Sequence, residues 1–417
     1  MNLKNINNNN VLFSLLLYLS LIIGFIIDEN LNHGSYQDWA RANILVIGEF
    51  SSNFVETFLN YEKLEMRHSP IYLIFLSSLL NLGLDFDQIR FLHMHLSIPL
   101  IIIFYKCLKL KFDNINLNSL QLLSLIIFLS PTFRSLSIWP DSRLPGLLFF
   151  ILSIYFFLKF DKENNLKYAW FNCISLIISS YISPNFSLFF IYFFFSFTKK
   201  IELKKLTYLL LFNFFASIPA IYYIFVLKIN FLISGKTPGL NESFALSFNF
   251  ADKILIISTI ILFHLLPIII SNSFYKKIFN YFKKNILIIL LFFIILIYFF
   301  NYQTSYTGGG VFFQISNLLF ENNYLFYIVC FFSLCLIFYL SSLSLNNFLL
   351  LAILIISNIQ NTIYHKYYEP LVIILFFTLL QNVPSEDFLK KKTNLVLIYF
   401  FSLIYILLRL SKSYYLS

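Results

Sequence analysis

The sequence predicts an all-α polytopic membrane protein, and three observations carry that prediction. Of the 417 residues, 59% are hydrophobic, 20% aromatic and only 12% charged, a balance outside that of soluble domains. Apolar runs approaching the roughly 20 residues that a helix needs to cross a bilayer recur along the whole chain. Between them lie short loops in which Lys collects, the usual mark of cytoplasmic loops. The net charge of +10 is therefore read as topological, and with no nucleic-acid motif in the chain, no nucleic-acid partner is expected.

Taken in order, about 13 runs qualify as transmembrane helices: 11–27, 88–106, 119–137, 143–159, 168–183, 184–198, 206–227, 254–271, 285–301, 323–341, 346–362, 369–381 and 395–410. The first follows a Lys and an Asn-rich head like a signal peptide. No small-residue cleavage site precedes Asp28, so a retained span is expected. The fifth and sixth meet at Ser183 and Pro184, where the missing backbone donor predicts tilted or broken helices. Cys107, Cys173, Cys330 and Cys335 lie in or beside apolar runs without metal-ligand spacing, and read as small packing residues.

One apolar run, Pro70 to Leu84, is excluded by charge. If it does not cross, the Lys clusters at 106–111, 159–167, 199–205, 276–284 and 390–392 share one side with Lys4, placing 18 of the 30 basic residues there. If it does cross, every later cluster moves outside, against the positive-inside rule. The run is therefore predicted to lie along the outer interface as an amphipathic or re-entrant helix. The outer face then receives residues 28–87, 134–143, 228–253, 302–322 and 365–369. Inner loops are short, so any chemistry is expected outside. No internal repeat is visible, which argues against inverted-repeat transporter folds.

Outside a membrane there are no nucleotide sugars, so a transferase there uses a sugar carried on a lipid phosphate. It needs a carboxylate to take the acceptor's proton, cations to hold the departing phosphate and an apolar groove for the lipid. Asp38, in SYQDWAR between Tyr36, Trp39 and Arg41, is the first candidate base, although Asp also suits a helix N-cap. Asp28 and Glu29 are rivals at the end of the first span. Arg67 and His68 precede Ser69, Pro70 and Tyr72, and cations beside a helix N-terminus suit a phosphate or, equally, an interfacial anchor. The turn SPTFRSLSIWPDSRLPG brings Arg134, Asp141 and Arg143 together, as a structural ion pair or as groups that orient the sugar. Asp141 could also assist Asp38 or share a divalent metal with it; the two alone are too few ligands to define such a site, so no cofactor is certain and a divalent metal stays open. Late in the chain, TIYHKYYEPL supplies His365, Lys366, Tyr368 and Glu369, for phosphate or sugar contact or for snorkelling. His264, His93 and His95 read as packed polar residues.

These residues, in this order, resemble the GT-C superfamily of glycosyltransferases. The residues quoted are an acid soon after the first span, Arg67-His68-Ser69-Pro70-Ile71-Tyr72 one loop later, and Ser130-Pro131, Arg134 and Pro140-Asp141. They look most like the ArnT/protein O-mannosyltransferase (family 39-like) group, and the late element at His365 to Pro370 is comparable with that group's. The resemblance is clearest over residues 11–200. It implies a GT-C fold of 13 spans with interfacial helices in the first extracytoplasmic loop, 28–87, the rest of the core at 88–200, and variable helices over 201–417, all in a single membrane domain. It also implies that Asp38 takes the place of the catalytic acidic residue, His68 that of the phosphate-contacting basic residue and Asp141 that of the second acidic residue. The group's Asp-Glu pair is Asp38-Trp39 here, with an actual pair at Asp28-Glu29, so either carboxylate could be the base. Ser69 stands for the first Pro of the group's pair and His68 for a Lys.

The expectation is inverting transfer from a polyprenyl-phosphate sugar donor to a glycan, lipid or protein acceptor, on the outward face of a bacterial inner membrane. The alternatives are a surface-polysaccharide polymerase or ligase, and a transporter or flippase without chemistry.

Overall fold

A computed structural model describes residues 8–31, 33–64, 69–225, 248–271, 274–303, 308–358 and 360–415. Arg67 and His68 lie outside the described residues. The described chain is helical, with no strand. In order, its helices are α1 Asn8–Ile26, α2 His33–Asp38, α3 Ile44–Ser52, α4 Phe54–Leu59, α5 Pro70–Asn81, α6 Phe86–Met94, α7 Ser97–Lys111, α8 Leu117–Leu125, α9 Pro131–Ile138, α10 Arg143–Glu163 and α11 Leu166–Ile182. They continue as α12 Phe189–Phe197, α13 Leu203–Phe225, α14 Phe250–Ser271, α15 Phe274–Phe299, α16 Gly310–Phe320, α17 Tyr324–Ser342, α18 Leu345–Ile356, α19 Glu369–Thr378, α20 Ser385–Leu389 and α21 Lys392–Tyr415.

Among the described residues, eight helices are long and apolar enough to cross a membrane: α1, α6 continued by α7, α10, α13, α14, α15, α17 and α21. The bent pair Leu117–Leu129 and Pro131–Ile138, broken by 69°, makes a ninth if it is one span. This is a multi-pass membrane architecture. Other runs form shorter helices: α11 has 17 residues, α18 has 12 and α19 has 10. At 1.5 Å per residue, 10 to 12 helical residues cover about 15 to 18 Å, roughly half the hydrocarbon core. Helix α5 has 12 residues and starts with Pro70 at its first position, where the missing N–H costs no hydrogen bond.

The chain folds as two units, Met1–Phe231 with Tyr399–Ser417, and Leu232–Ile398. In the first, α10 packs against α7 and α11. Gly146 permits the closeness to α11, since a Cβ there would fall 2.6 Å from Ser183 Cβ. Ser179 donates to the Gly146 carbonyl at 2.8 Å and Asn172 to the Ser153 carbonyl at 2.8 Å. Small residues and polar side chains commonly join helices in lipid this way. Phe150, Phe157, Phe186, Phe189, Phe193 and Phe197 fill the space beside them. The end of α21 is tied to the same unit, with Tyr399 donating to Leu122 O and Arg409 to Leu31 O, each at 2.7 Å.

In the second unit, α14 is the buried centre and touches α15, α16, α17, α18 and α19. Ser258 and Ser333 join α14 to α17 at 2.7 Å. Gly308, Gly309 and Gly310 all have positive φ (105°, 76° and 76°), a backbone that glycine adopts without penalty. That turn lays Gly309 N against the Ile363 carbonyl at 3.0 Å, and the Tyr302 hydroxyl accepts from Ile363 N at 2.9 Å. The four cysteines are free and buried, which fits packing residues.

Candidate functional site

The polar residues of the first unit sort into two groups with different chemistry. The first is closed. Arg134, on α9 and 5% exposed, grips Glu29 with Nε to Oε1 and Nη2 to Oε2, both at 2.7 Å. Its remaining nitrogen and a second Nη2 bond go to Ser20 Oγ at 3.0 Å and Ser20 O at 2.8 Å. A fork-to-fork pair of this kind fixes geometry as well as charge. Gly24 makes room for it, because a Cβ there would stand 2.9 Å from both Arg134 Nη2 and Glu29 Oε2. Asp28, at φ 52°, accepts from Arg90 Nη2 at 2.7 Å. Arg90 also reaches Asp87 at 3.0 Å and stacks its guanidinium 3.9 Å from the Trp139 ring. Both rival carboxylates of the first loop are thus engaged by arginines.

The second group surrounds the turn Trp139–Arg143. Asp141 is 1% exposed and accepts from Arg143 N at 2.9 Å, which anchors the start of α10. The Arg143 guanidinium stands 3.8 Å from its other oxygen. Close by, the Tyr72 hydroxyl of α5 bonds His93 Nδ1 of α6, and His93 Nε2 lies 2.7 Å from Leu136 O. A carbonyl only accepts, so Nε2 carries the proton and Nδ1 receives the Tyr72 hydrogen. Burial first, and the Asp141 charge second, push the Tyr72 hydroxyl well above the usual tyrosine range, so it remains a donor.

Asp38 is docked against this turn by its neighbours. Tyr36 meets Trp139 edge-on with centroids 4.8 Å apart, and Asn43 donates to Pro140 O at 3.1 Å. The segment between those contacts contains Asp38, half-buried, at the junction of α2 with a π-helical turn, Trp39–Asn43. Such turns are rare and occur often at functional sites. Asp38 does not act as an N-cap, because its backbone is helical and its side chain makes no cap bond. The turn therefore gathers Asp38's segment, Tyr72, Asp141 and Arg143 in one region, while Arg134 belongs to the closed group.

His365, Lys366, Tyr368 and Glu369 lie in the second unit and form their own cluster. His365 Nε2 is 2.9 Å from His264 Nε2 and 4.0 Å from Glu369 Oε2. Lys366 is 9% exposed, with its Nζ 5.5 Å from the centre of the Tyr364 ring. Tyr368 is buried and lies 3.5 Å from Leu354 O. Among the described residues, no group of three or more His, Cys, Asp or Glu is placed to hold a metal ion.

Sequence reading left Glu29 open between boundary marker and base, and it read His93 and His264 as packing. The Glu29–Arg134 pair had one usable signal. An arginine in an apolar stretch needs a carboxylate at matching depth, and Glu29 ends the neighbouring span. The histidine partnerships had none, because 21 and 101 residues separate the partners. Comparison with protein-family models, with curated proteins and with solved structures returned no match for the chain.

Proposed function

We propose that the protein is an integral-membrane glycosyltransferase of GT-C type, with about 13 spans and interfacial helices in its first outer loop. It moves a sugar from a polyprenyl-phosphate donor to a hydroxyl of a glycan, lipid or protein acceptor on the extracytoplasmic face of a bacterial inner membrane. Asp38 takes the acceptor proton as the new glycosidic bond forms. The bond from the anomeric carbon to the phosphate oxygen breaks, and the lipid phosphate leaves with the electron pair, held by Arg67, His68 and Arg143. Asp141 positions Arg143 and the start of α10.

The observation that supports this reading best is the place of Asp38, whose segment is tied to the Trp139–Arg143 turn by Tyr36 and Asn43. Asp28 accepts from Arg90 and Glu29 from Arg134, so each already carries an arginine partner. Asp38, half-buried beside the Trp139–Arg143 turn, keeps the partial exposure that a base acting on an external hydroxyl requires.

The test is reconstitution of the purified protein with lipid-linked sugars and candidate acceptors. Transfer releases free polyprenyl phosphate in step with acceptor glycosylation. Movement of intact lipid-linked sugar between leaflets without phosphate release would instead establish the transporter reading. Elongation of a lipid-linked glycan onto a second lipid-linked glycan would establish the polymerase.

A further inference from the structure

Helix α15 begins with FYKKIFNYFKK and is broken at Asn285, whose backbone leaves the helical range at φ −120° and ψ 16°. Asn285 caps the break by donating to Tyr281 O at 2.9 Å. Beyond it the helix is uncharged to Phe299, so a basic, aromatic segment precedes an apolar one. One face of the basic segment is seated on α17, with Phe274 and Tyr281 against Tyr339 at 5.6 and 5.9 Å, and Phe282 against Phe331 at 5.5 Å. The other face is exposed. It carries Lys276, Lys277, Lys283 and Lys284, together with Tyr275 and Phe279 at 51% and 52% exposure.

Charge sets this face apart from three of the other basic clusters of the chain, 159–167, 199–205 and 390–392. Lys162 pairs with Asp113 and Lys200 with Asp161, each at 2.6 Å, Lys205 pairs with Glu202 at 3.0 Å, and Lys390 with Glu386 at 3.5 Å. The α15 lysines make no ion pair among the described residues. The chain has no Asp or Glu between Asp252 and Glu321 to supply one. Lys283 lies 4.7 Å from the Phe279 ring and Lys276 lies 6.0 Å from that of Tyr275, so charge and ring are presented together. Four uncompensated cations with exposed rings, at the start of an apolar helix, match the headgroup layer of a bilayer rich in anionic lipid.

The geometry points to the Phe274–Lys284 face as a binding surface for anionic phospholipid headgroups, with Tyr275 and Phe279 entering the interface and the four lysines holding the phosphates. This surface is independent of the transferase reading. The test uses the full-length protein in nanodiscs of phosphatidylcholine and phosphatidylglycerol, followed by native mass spectrometry of the lipids retained. A nanodisc presents the same lipids on both faces, so the readout does not depend on the direction of insertion.

The wild type should retain phosphatidylglycerol preferentially, and less so at high salt. K276Q/K277Q/K283Q/K284Q should lower that preference about tenfold or more, while K162Q/K200Q, whose lysines already have carboxylate partners, should leave it within twofold. The charge-conserving K276R/K277R/K283R/K284R should keep it, which separates lost charge from damaged folding. Equal retention of the two lipids by the wild type, an unchanged preference in the glutamine variant, or its loss in the arginine variant would each overturn the assignment.

Discussion

Two acidic stretches that follow α1, ten residues apart, have opposite fates. Asp28 and Glu29 sit where α1 ends and are met by arginines from α6 and α9, with the Glu29 and Arg134 side chains 9% and 6% exposed. Asp38 sits at the entrance to a π-helical turn, half-buried, its segment tied to Trp139 and Pro140 by Tyr36 and Asn43. The comparison separates a carboxylate locked to α9 by a buried arginine from one whose segment is held beside the Trp139–Arg143 turn. A buried bidentate pair secures α9 to α1, whereas Asp28, bound by Arg90 but 64% exposed, and half-buried Asp38 stay within reach of solvent.

That contrast makes graded predictions. Glu29→Ala leaves the Arg134 guanidinium buried without its counter-charge, so unfolding in detergent should come easier by about 3–5 kcal/mol. Gly24→Ala presses a methyl group onto the same pair and should cost about 1–3 kcal/mol. A loss as large as that of Glu29→Ala would mean the pair is broken rather than shifted. Tyr72→Phe removes the hydrogen that His93 Nδ1 accepts and should cost about 1–2 kcal/mol near neutral pH.

The pH dependence of that variant follows from the raised Tyr72 hydroxyl. A group protonated in the folded state but ionising near pH 10 when unfolded contributes stability below about pH 10 that is lost as pH rises further. Wild-type stability should therefore fall more steeply than that of Tyr72→Phe above about pH 10, as read from thermal unfolding across pH. The smallest effect belongs to Asp28→Ala. Its side chain is 64% exposed, and Arg90 keeps Asp87 and Trp139, so the change should stay below about 1 kcal/mol.

Much of the architecture was legible in the sequence because hydropathy and proline act locally. Pro70 opens a helix, Pro131 follows a break between two others, and Pro184 opens a short turn between α11 and α12. Helix lengths were less legible. Residues 346–362 look continuous as an apolar run, yet α18 stops at Ile356 and the chain returns through Ile363, which is pinned by Tyr302 and Gly309. The site was legible as residue types but not as partnerships. Nothing local tells Glu29 from Asp38, both acids in a polar loop. What separates them is an arginine 105 positions away in one case and a π turn with two flanking contacts in the other, and both arise from tertiary packing.

The central claim is that Asp38 is the base while Glu29 is structural, and one measurement addresses it directly. Single-turnover transfer from a polyprenyl-phosphate sugar should be followed for wild type and Asp38→Asn, with thermal unfolding of the same samples. A neutral amide of the same shape should slow transfer by about 10²–10⁴-fold with the unfolding temperature unchanged. Transfer at the wild-type rate by Asp38→Asn would contradict the claim.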